Sequence, residues 1–266
     1  MYSSLKNKYA LVTGASSGIG VDFAQILAEN GCHLIIVARR LERLIKLKNT
    51  LQDRFGISVE VISMDLSLPT APQNLYEEVI RKKVQVDILI NNAGIGIFGN
   101  FIDIPLEREI NLLNLDVINL VSITKLFLRD MVQRNTGYVL NVASLAAYQP
   151  IATYASYCAA KSFVLSFTES LNYELKDTKI KVTALSPGDT ESDFFVNAGQ
   201  KKLSPTHKKG MMKSYPVAKI GIEAMLKGKS NVIPGRINNV AAFLFRLLPR
   251  RMTMTVIDSI YMKGVK

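Results

Sequence analysis

The chain has 266 residues, enough for one large domain, and its 48% hydrophobic and 21% charged residues describe a folded protein rather than a disordered one. Two Cys and two His exclude a disulfide scaffold and leave little material for a metal centre, so no metal is expected. The net charge of +11 sits in the last quarter: residues 201–266 hold 14 Lys and Arg against Glu223 and Asp258, whereas residues 1–200 hold 19 against 20.

In chain order, short runs rich in β-branched residues at Tyr9–Val12, Leu34–Val37, Val59–Ile62, Val86–Ile90, Tyr138–Val142 and Val182–Leu185 predict buried strands. Between them, apolar residues recur at helical spacing. These are Phe23, Ile26, Leu27; Leu41, Leu44, Ile45, Leu47; Leu120, Ile123, Leu126, Phe127; and Phe163, Leu165, Phe167, Leu171. Strands alternating with helices imply right-handed crossovers and an α/β, doubly wound parallel sheet covered on both faces. No linker precedes about Asn197, so residues 1–266 read as a single domain. The polar, Lys-rich stretch 197–216, with Gly199, Pro205 and Gly210, reads as a loop or a short helical excursion. Met1–Lys8 is polar and lacks the pattern of a signal peptide. No run approaches about 18 uninterrupted apolar residues, and Val240–Leu248 is cut by Arg246. A cytoplasmic location is therefore the expectation.

The first predicted strand runs straight into Thr13-Gly14-Ala15-Ser16-Ser17-Gly18-Ile19-Gly20. Glycine serves here where the backbone must turn tightly, approach a pyrophosphate and let a helix pack on its strand. The N-terminal N–H groups of the following helix then face the phosphates. The same cluster also fits a purely structural turn, but its place after the first strand of an alternating chain points to a dinucleotide.

About 20 residues on, an acid would bind the adenosine ribose hydroxyls and favour NAD. The chain instead has Val37-Ala38-Arg39-Arg40, with Glu42 the next acid. Two guanidiniums suit the extra phosphate of NADP. NADP(H) is the expected preference, with NAD(H) compatible; the alternative is an Arg pair facing solvent at a helix start.

At the reacting end, Ser144 closes the fifth predicted strand, and Tyr157 and Lys161 lie four apart on one helix face. An unperturbed Tyr has a pKa of about 10. A nearby ammonium stabilises the phenolate, so Tyr can serve as general acid or base, while a serine hydroxyl holds the substrate oxygen.

Together, Thr13-Gly14-x-x-x-Gly18-Ile19-Gly20, Asn91-Asn92-Ala93-Gly94, Ser144, Tyr157-x-x-x-Lys161 and Pro187-Gly188 resemble the short-chain dehydrogenase/reductase family, in its NADP-preferring type. The resemblance implies a Rossmann-type sheet of about seven strands and hydride transfer between a nicotinamide and a ketone, aldehyde or alcohol carbon. It implies that Tyr157 exchanges the proton, Ser144 orients the substrate oxygen, and Lys161 lowers the Tyr157 pKa and holds the nicotinamide ribose. It places Gly14, Ser16, Ser17, Gly18, Ile19, Gly20, Arg39, Arg40, Asp65, Leu66, Asn91, Ala93, Gly94, Pro187, Gly188 and Thr190 along the cofactor. Residues 189–230 correspond to the substrate loop region and 236–266 to a basic C-terminal extension. Homodimers or homotetramers pairing through the catalytic helix are usual in this family.

One position departs from the pattern. Many members carry an Asn on the helix after the fourth strand, whose backbone carbonyl holds a water linking Lys to solvent. The matching residue here is Asp116, with Asn114 and Asn119 two and three residues out of register. Its carboxylate would add negative charge near Lys161. This departure motivates an alternative, a cofactor-binding sensor or scaffold with little turnover, against which the intact Ser144, Tyr157 and Lys161 argue.

Phe194, Phe195, Val196, Met211, Met212 and Tyr215 are candidates for an apolar cleft, or equally for packing. An apolar cleft beside a cationic tail suggests a lipid-like or acyl carbonyl substrate. Residues Asn239–Arg251 mix Phe and Leu with Arg at helical spacing, as in an interfacial helix; peripheral membrane contact is compatible with that pattern. No nucleic-acid motif accompanies the basic residues, and no nucleic-acid partner is expected. Tyr154 reads as a cleft wall, Cys158 as a small packing residue, and His207 as solvent-exposed.

Overall fold

The computed structural model describes residues 2–200 and 210–261. Seven strands form one sheet: β1 (Tyr9–Thr13), β2 (His33–Ala38), β3 (Val59–Ser63), β4 (Ile88–Asn91), β5 (Gly137–Val142), β6 (Ile180–Leu185) and β7 (Asn231–Val232). Their order is β3-β2-β1-β4-β5-β6-β7, and each neighbouring pair is parallel. The order reverses between β1 and β4, where a crevice opens beyond the carboxyl ends of the strands. The helices are α1 (Ile19–Glu29), α2 (Leu41–Phe55), α3 (Ala71–Arg81), α4 (Leu106–Leu113), α5 (Asn119–Arg134), α6 (Ala155–Glu174), α7 (Phe194–Ala198), α8 (Ser214–Leu226), α9 (Arg236–Leu247) and α10 (Arg250–Tyr261).

The strands are apolar on both sides because both sides are covered. Ala10, Val12, Leu34, Ile36, Ile88 and Ile90 pack with Phe23, Leu27 and Val217 on one face. Their neighbours Leu11, Ile35, Val37 and Leu89 pack with Leu75, Ile123, Phe127 and Met131 on the other. Residues at alternating strand positions thus belong to two separate cores, as the two-residue period of a strand requires.

Three details differ from the sequence expectation. In α2, Leu44 is buried but Leu41 and Ile45 are exposed; the helix covers the sheet with Leu44 and Leu51. Phe163 is likewise exposed; α6 buries Leu165 of the expected stripe together with Val164 and Thr168. Leu106–Arg134 forms a 29-residue helical run long and apolar enough to cross a membrane by length and composition. Charges such as Asp116 and Lys125 interrupt it, so a search for uninterrupted apolar residues passes it over. In the fold its Leu120, Ile123, Phe127 and Met131 are buried core residues.

The stretch 197–216 is helical at both described edges, in α7 and from Ser214 onward. Its middle and His207 lie outside the described residues. Thr190 and Met212 pair as an isolated parallel bridge across this excursion.

Candidate active site

The glycine turn after β1 is built by close approach. Gly14 and Gly18 have φ of 67° and 55°, which side-chain-bearing residues rarely adopt. A Cβ on Gly14 would lie 2.7 Å from Asn92 Nδ2 and 2.9 Å from Ala93 Cα, and one on Gly20 would strike the Gly14 carbonyl. Asn92 fastens the turn from β4: its Nδ2 donates to the Thr13 carbonyl at 2.9 Å, while Thr13 Oγ1 accepts from the Asn92 and Ala93 amides, each at 3.0 Å. Ile19 then starts α1, so the helix N-terminus faces the crevice. This cradle fits a dinucleotide pyrophosphate, which needs bare backbone and unpaired N–H groups.

The two arginines after β2 part company. Arg40 reaches over the glycine turn, donating to Ser16 Oγ at 3.0 Å and Ser17 Oγ at 2.8 Å. Its Nη1 is 3.7 Å from the Asp193 carboxylate, which also contacts Arg43 at 3.2 Å. Arg39 stays near solvent, 3.8 Å from Asp65. Asp65 accepts from the Ser67 amide and hydroxyl. Leu66 is buried, and its carbonyl accepts from Asn119 Nδ2. An acid therefore stands beside Arg39 after all, contributed by the segment after β3.

The side chain of Asn91 reaches into the core. Its Nδ2 donates to Thr124 Oγ1 and Asn141 Oδ1, both at 2.9 Å, and Asn141 Nδ2 donates to Thr168 Oγ1 at 3.0 Å. This buried polar chain ties α5, β4, β5 and α6 together beneath the reacting groups. Buried amides and hydroxyls need such partners, and paired they hold one register.

Ser144 caps a short 3-10 turn at the end of β5, its Oγ accepting from the Ala146 amide at 3.1 Å. Tyr157 and Lys161 project from one face of α6. Burial pushes the Tyr157 phenol well above its usual value; the Asp116 charge adds to this, and a hydrogen bond with Ser144 opposes it. Lys161 Nζ lies 5.7 Å from the Tyr157 ring centroid. It donates to the Val142 carbonyl at 3.1 Å and sits 2.9 Å from Asp116 Oδ2, both side chains being buried.

Asp116 occupies a π-helical turn, Asn114–Ile118, between α4 and α5. Such bulges widen a helix by one residue and recur at functional sites. Asp116 Oδ1 accepts from the Ile95 amide at 2.9 Å. Burial pushes its carboxyl up, opposed by Lys161 and the Ile95 N–H. Gly94 completes the arrangement, since a Cβ there would come within 3.0 Å of Asp116 and 3.1 Å of Lys161. Asn119 serves elsewhere, donating to the Leu66 and Leu68 carbonyls.

After β6, the Pro187 carbonyl accepts from the Leu145 amide at 2.7 Å, which joins this turn to the Ser144 segment. Gly188 packs against Asn238 of α9, and Thr190 Oγ1 donates to the Gly188 carbonyl.

Around Tyr157 the wall is aromatic. Its ring centroid lies 5.2 Å from Phe194 and 5.9 Å from Tyr154, which in turn is 5.4 Å from Phe98. Phe245 and Ile257 pack into the same cluster, as does buried Cys158. Tyr154 donates to Gln200 Oε1 at 2.7 Å. Of the six cleft candidates, Phe194 meets Tyr157 and Phe195 is buried beside it. Val196 points to solvent, and Tyr215 bonds Glu29 on α1. Met212 packs with the core around α1. The sequence points to neither Phe98 nor Ile257 and assigns Phe245 to an interfacial helix rather than to the cleft, because residues so distant in the chain share no local pattern.

The chain belongs to the short-chain dehydrogenase/reductase family: the family profile described as short chain dehydrogenase matches residues 8–203. It is an NAD(P)-dependent oxidoreductase of that family. It is 31% identical over 196 residues to an NADP-dependent 3-hydroxy acid dehydrogenase of Schizosaccharomyces pombe, covering 73% of this chain and 76% of that one. It is 28% identical over 244 residues to the very-long-chain 3-oxoacyl-CoA reductase of Rattus norvegicus, covering 88% and 75%. A short-chain dehydrogenase from Sphingobium yanoikuyae, solved with NADPH, superposes with a TM-score of 0.81 at 29% identity, covering 94% and 95%.

Proposed function

We propose that this enzyme is an NADPH-dependent reductase of an apolar carbonyl compound, with an acyl chain the favoured class. The observation that carries the reading is the half-buried Tyr157 phenol, hydrogen-bonded with Ser144 and packed among Phe98, Phe194, Phe245 and Ile257. When bound, the nicotinamide supplies hydride to the carbonyl carbon. Tyr157 donates its hydroxyl proton to the carbonyl oxygen as charge develops there, and Ser144 donates a hydrogen bond that orients the same oxygen. Lys161 balances the phenolate left on Tyr157. A phenol whose pKa is raised keeps its proton at neutral pH, the form from which a carbonyl oxygen is protonated.

Arg40, poised over Ser16 and Ser17, supports the NADP preference, because a guanidinium pairs well with a phosphate. The rat relative's name, a 3-oxoacyl-CoA reductase, supports the acyl class, and the fission-yeast relative's, a 3-hydroxy acid dehydrogenase, supports an oxygen at the same position of an acid. Residues 189–230 act as the substrate loop in this reading, and the exposed Phe163 and Tyr173 of α6 suit pairing with a second copy through the catalytic helix. The enzyme works in the cytoplasm.

Parallel titration with NADPH and NADH, followed by nicotinamide fluorescence, tests the cofactor. NADPH should bind at least tenfold more tightly, and Arg40→Ala should remove about that preference. A screen of 3-oxoacyl thioesters against short polar ketones tests the substrate; turnover of small polar ketones alone would overturn the acyl reading.

A further inference from the structure

A helix on a water-soluble surface ordinarily turns its polar side outward. On α9 the outer side is apolar as well as the inner one. Ile237, Val240, Leu244 and Leu247, at spacings of three and four, form one stripe, and all are exposed; Ile237 is 84% and Leu247 66% accessible. Phe243 flanks the stripe and is 61% accessible. The inner side of the same helix carries buried Ala242 and half-buried Phe245, the latter packed into the cluster around Tyr157. On α10, Ile257 joins that cluster while Met252 and Val256 are exposed. Arg236, Arg246, Arg250 and Arg251 stand exposed around this surface, and Asp258 is the one acid between residues 231 and 261.

We propose that the outer face of α9 and α10 docks on an anionic lipid surface. An apolar stripe flanked by arginines matches acyl chains below and phosphate headgroups beside them. Each arginine brought near such a surface is worth about fivefold in affinity. A second copy fits less well, because pairing this face with itself would crowd the arginines of both chains with Asp258 alone to offset them. The inner side of the same hairpin packs into the cluster around Tyr157. Docking therefore sets Tyr157 and its aromatic surroundings toward the bilayer, where an acyl carbonyl substrate would be dissolved. That consequence rests on the proposed substrate class; the docking does not.

The test is co-sedimentation of the full chain with vesicles of phosphatidylcholine alone, and of phosphatidylcholine mixed with phosphatidylglycerol. The wild type should sediment with the mixed vesicles, weakly with the neutral ones, and less at high salt. Phe243→Ser with Leu247→Ser should lower binding about tenfold or more. Arg250→Glu with Arg251→Glu should lower it by at least about twentyfold. Thermal unfolding and nicotinamide titration establish that each variant is folded, and neither depends on the substrate. No binding of the wild type to mixed vesicles would overturn the proposal. So would binding untouched by the serine pair, which marks simple electrostatic adsorption. Self-association in ultracentrifugation that the serine pair abolishes would assign the face to a second copy instead.

Discussion

Lys161 Nζ stands 2.9 Å from Asp116 Oδ2, so the ammonium beside Tyr157 shares its charge with a buried carboxylate before any substrate arrives. The pair is reached through the π-helical turn, and Gly94 leaves the room for it. Asp116→Asn keeps the shape and the acceptor for the Ile95 amide but removes the charge. The field of Lys161 then falls on Tyr157 with less opposition and lowers the phenol pKa. The pH profile of alcohol oxidation should move about one unit toward neutrality. Loss of one partner of a buried pair should also weaken the fold by about 3 kcal/mol, read by urea unfolding. An unchanged pH–rate profile would remove Asp116 from the proton chemistry.

The raised Tyr157 pKa sets a pH dependence in the wild type. Below that pKa the phenol carries its proton, so reduction should stay level from neutral to mildly alkaline pH. Oxidation needs the phenolate and should climb throughout that range. Tyr157→Phe should lower kcat in both directions by about 10²–10⁴-fold while cofactor binding persists. Steady-state rates across pH, with parallel fluorescence titration, check both statements.

Both cysteines are buried and free. Burial pushes the Cys158 thiol up to about 11 and the Cys32 thiol up to about 12, and Cys32 Sγ also donates to the Leu5 carbonyl. Thiolate is the reactive form, so neither should react readily with a disulfide reagent at pH 8. In denaturant both should react at once. A fast-reacting thiol in the folded protein would contradict the packing around Tyr154 and Cys158.

Asn141 is one of the two inner members of the polar chain from Thr124 to Thr168. Asn141→Ala takes an acceptor from Asn91 and a donor from Thr168 inside the core. The expected loss is about 1–3 kcal/mol, measured by equilibrium unfolding. Because the chain fixes α6 against β5, kcat should fall as well, although Asn141 is not in the aromatic wall around Tyr157.

Local patterns carried most of what the sequence made readable. Six strands announce themselves as β-branched runs, the glycine turn by its place after the first of them, and Tyr157 and Lys161 by helical spacing. β7 escaped because two residues, one of them Asn231, have no period to detect; parallel pairing with Ala184 and Leu185 makes it a strand. The helical stripe in α2 has the right period, but tertiary packing selected Leu44 and Leu51 and left Leu41 outside. Asp116 and its negative charge near Lys161 were readable by register, whereas the π turn that aims the carboxylate was not, because it is a backbone feature. Asn91 and Asn92 look alike in sequence; only the fold turns the first into the core and the second onto the glycine turn. Phe245 and Ile257 meet Tyr157 through tertiary folding alone.

The family profile ends at residue 203, yet Phe245 and Ile257 press on the cluster that holds Tyr157. Proton transfer and one part of the wall around it, Phe245 and Ile257, are therefore written in different stretches of the chain. Substitutions after residue 203 alter the shape of the space beside the phenol and leave the glycine turn, Ser144 and Lys161 as they are. Change in the last two helices can accordingly reshape one side of that space while the reacting groups stay where they are.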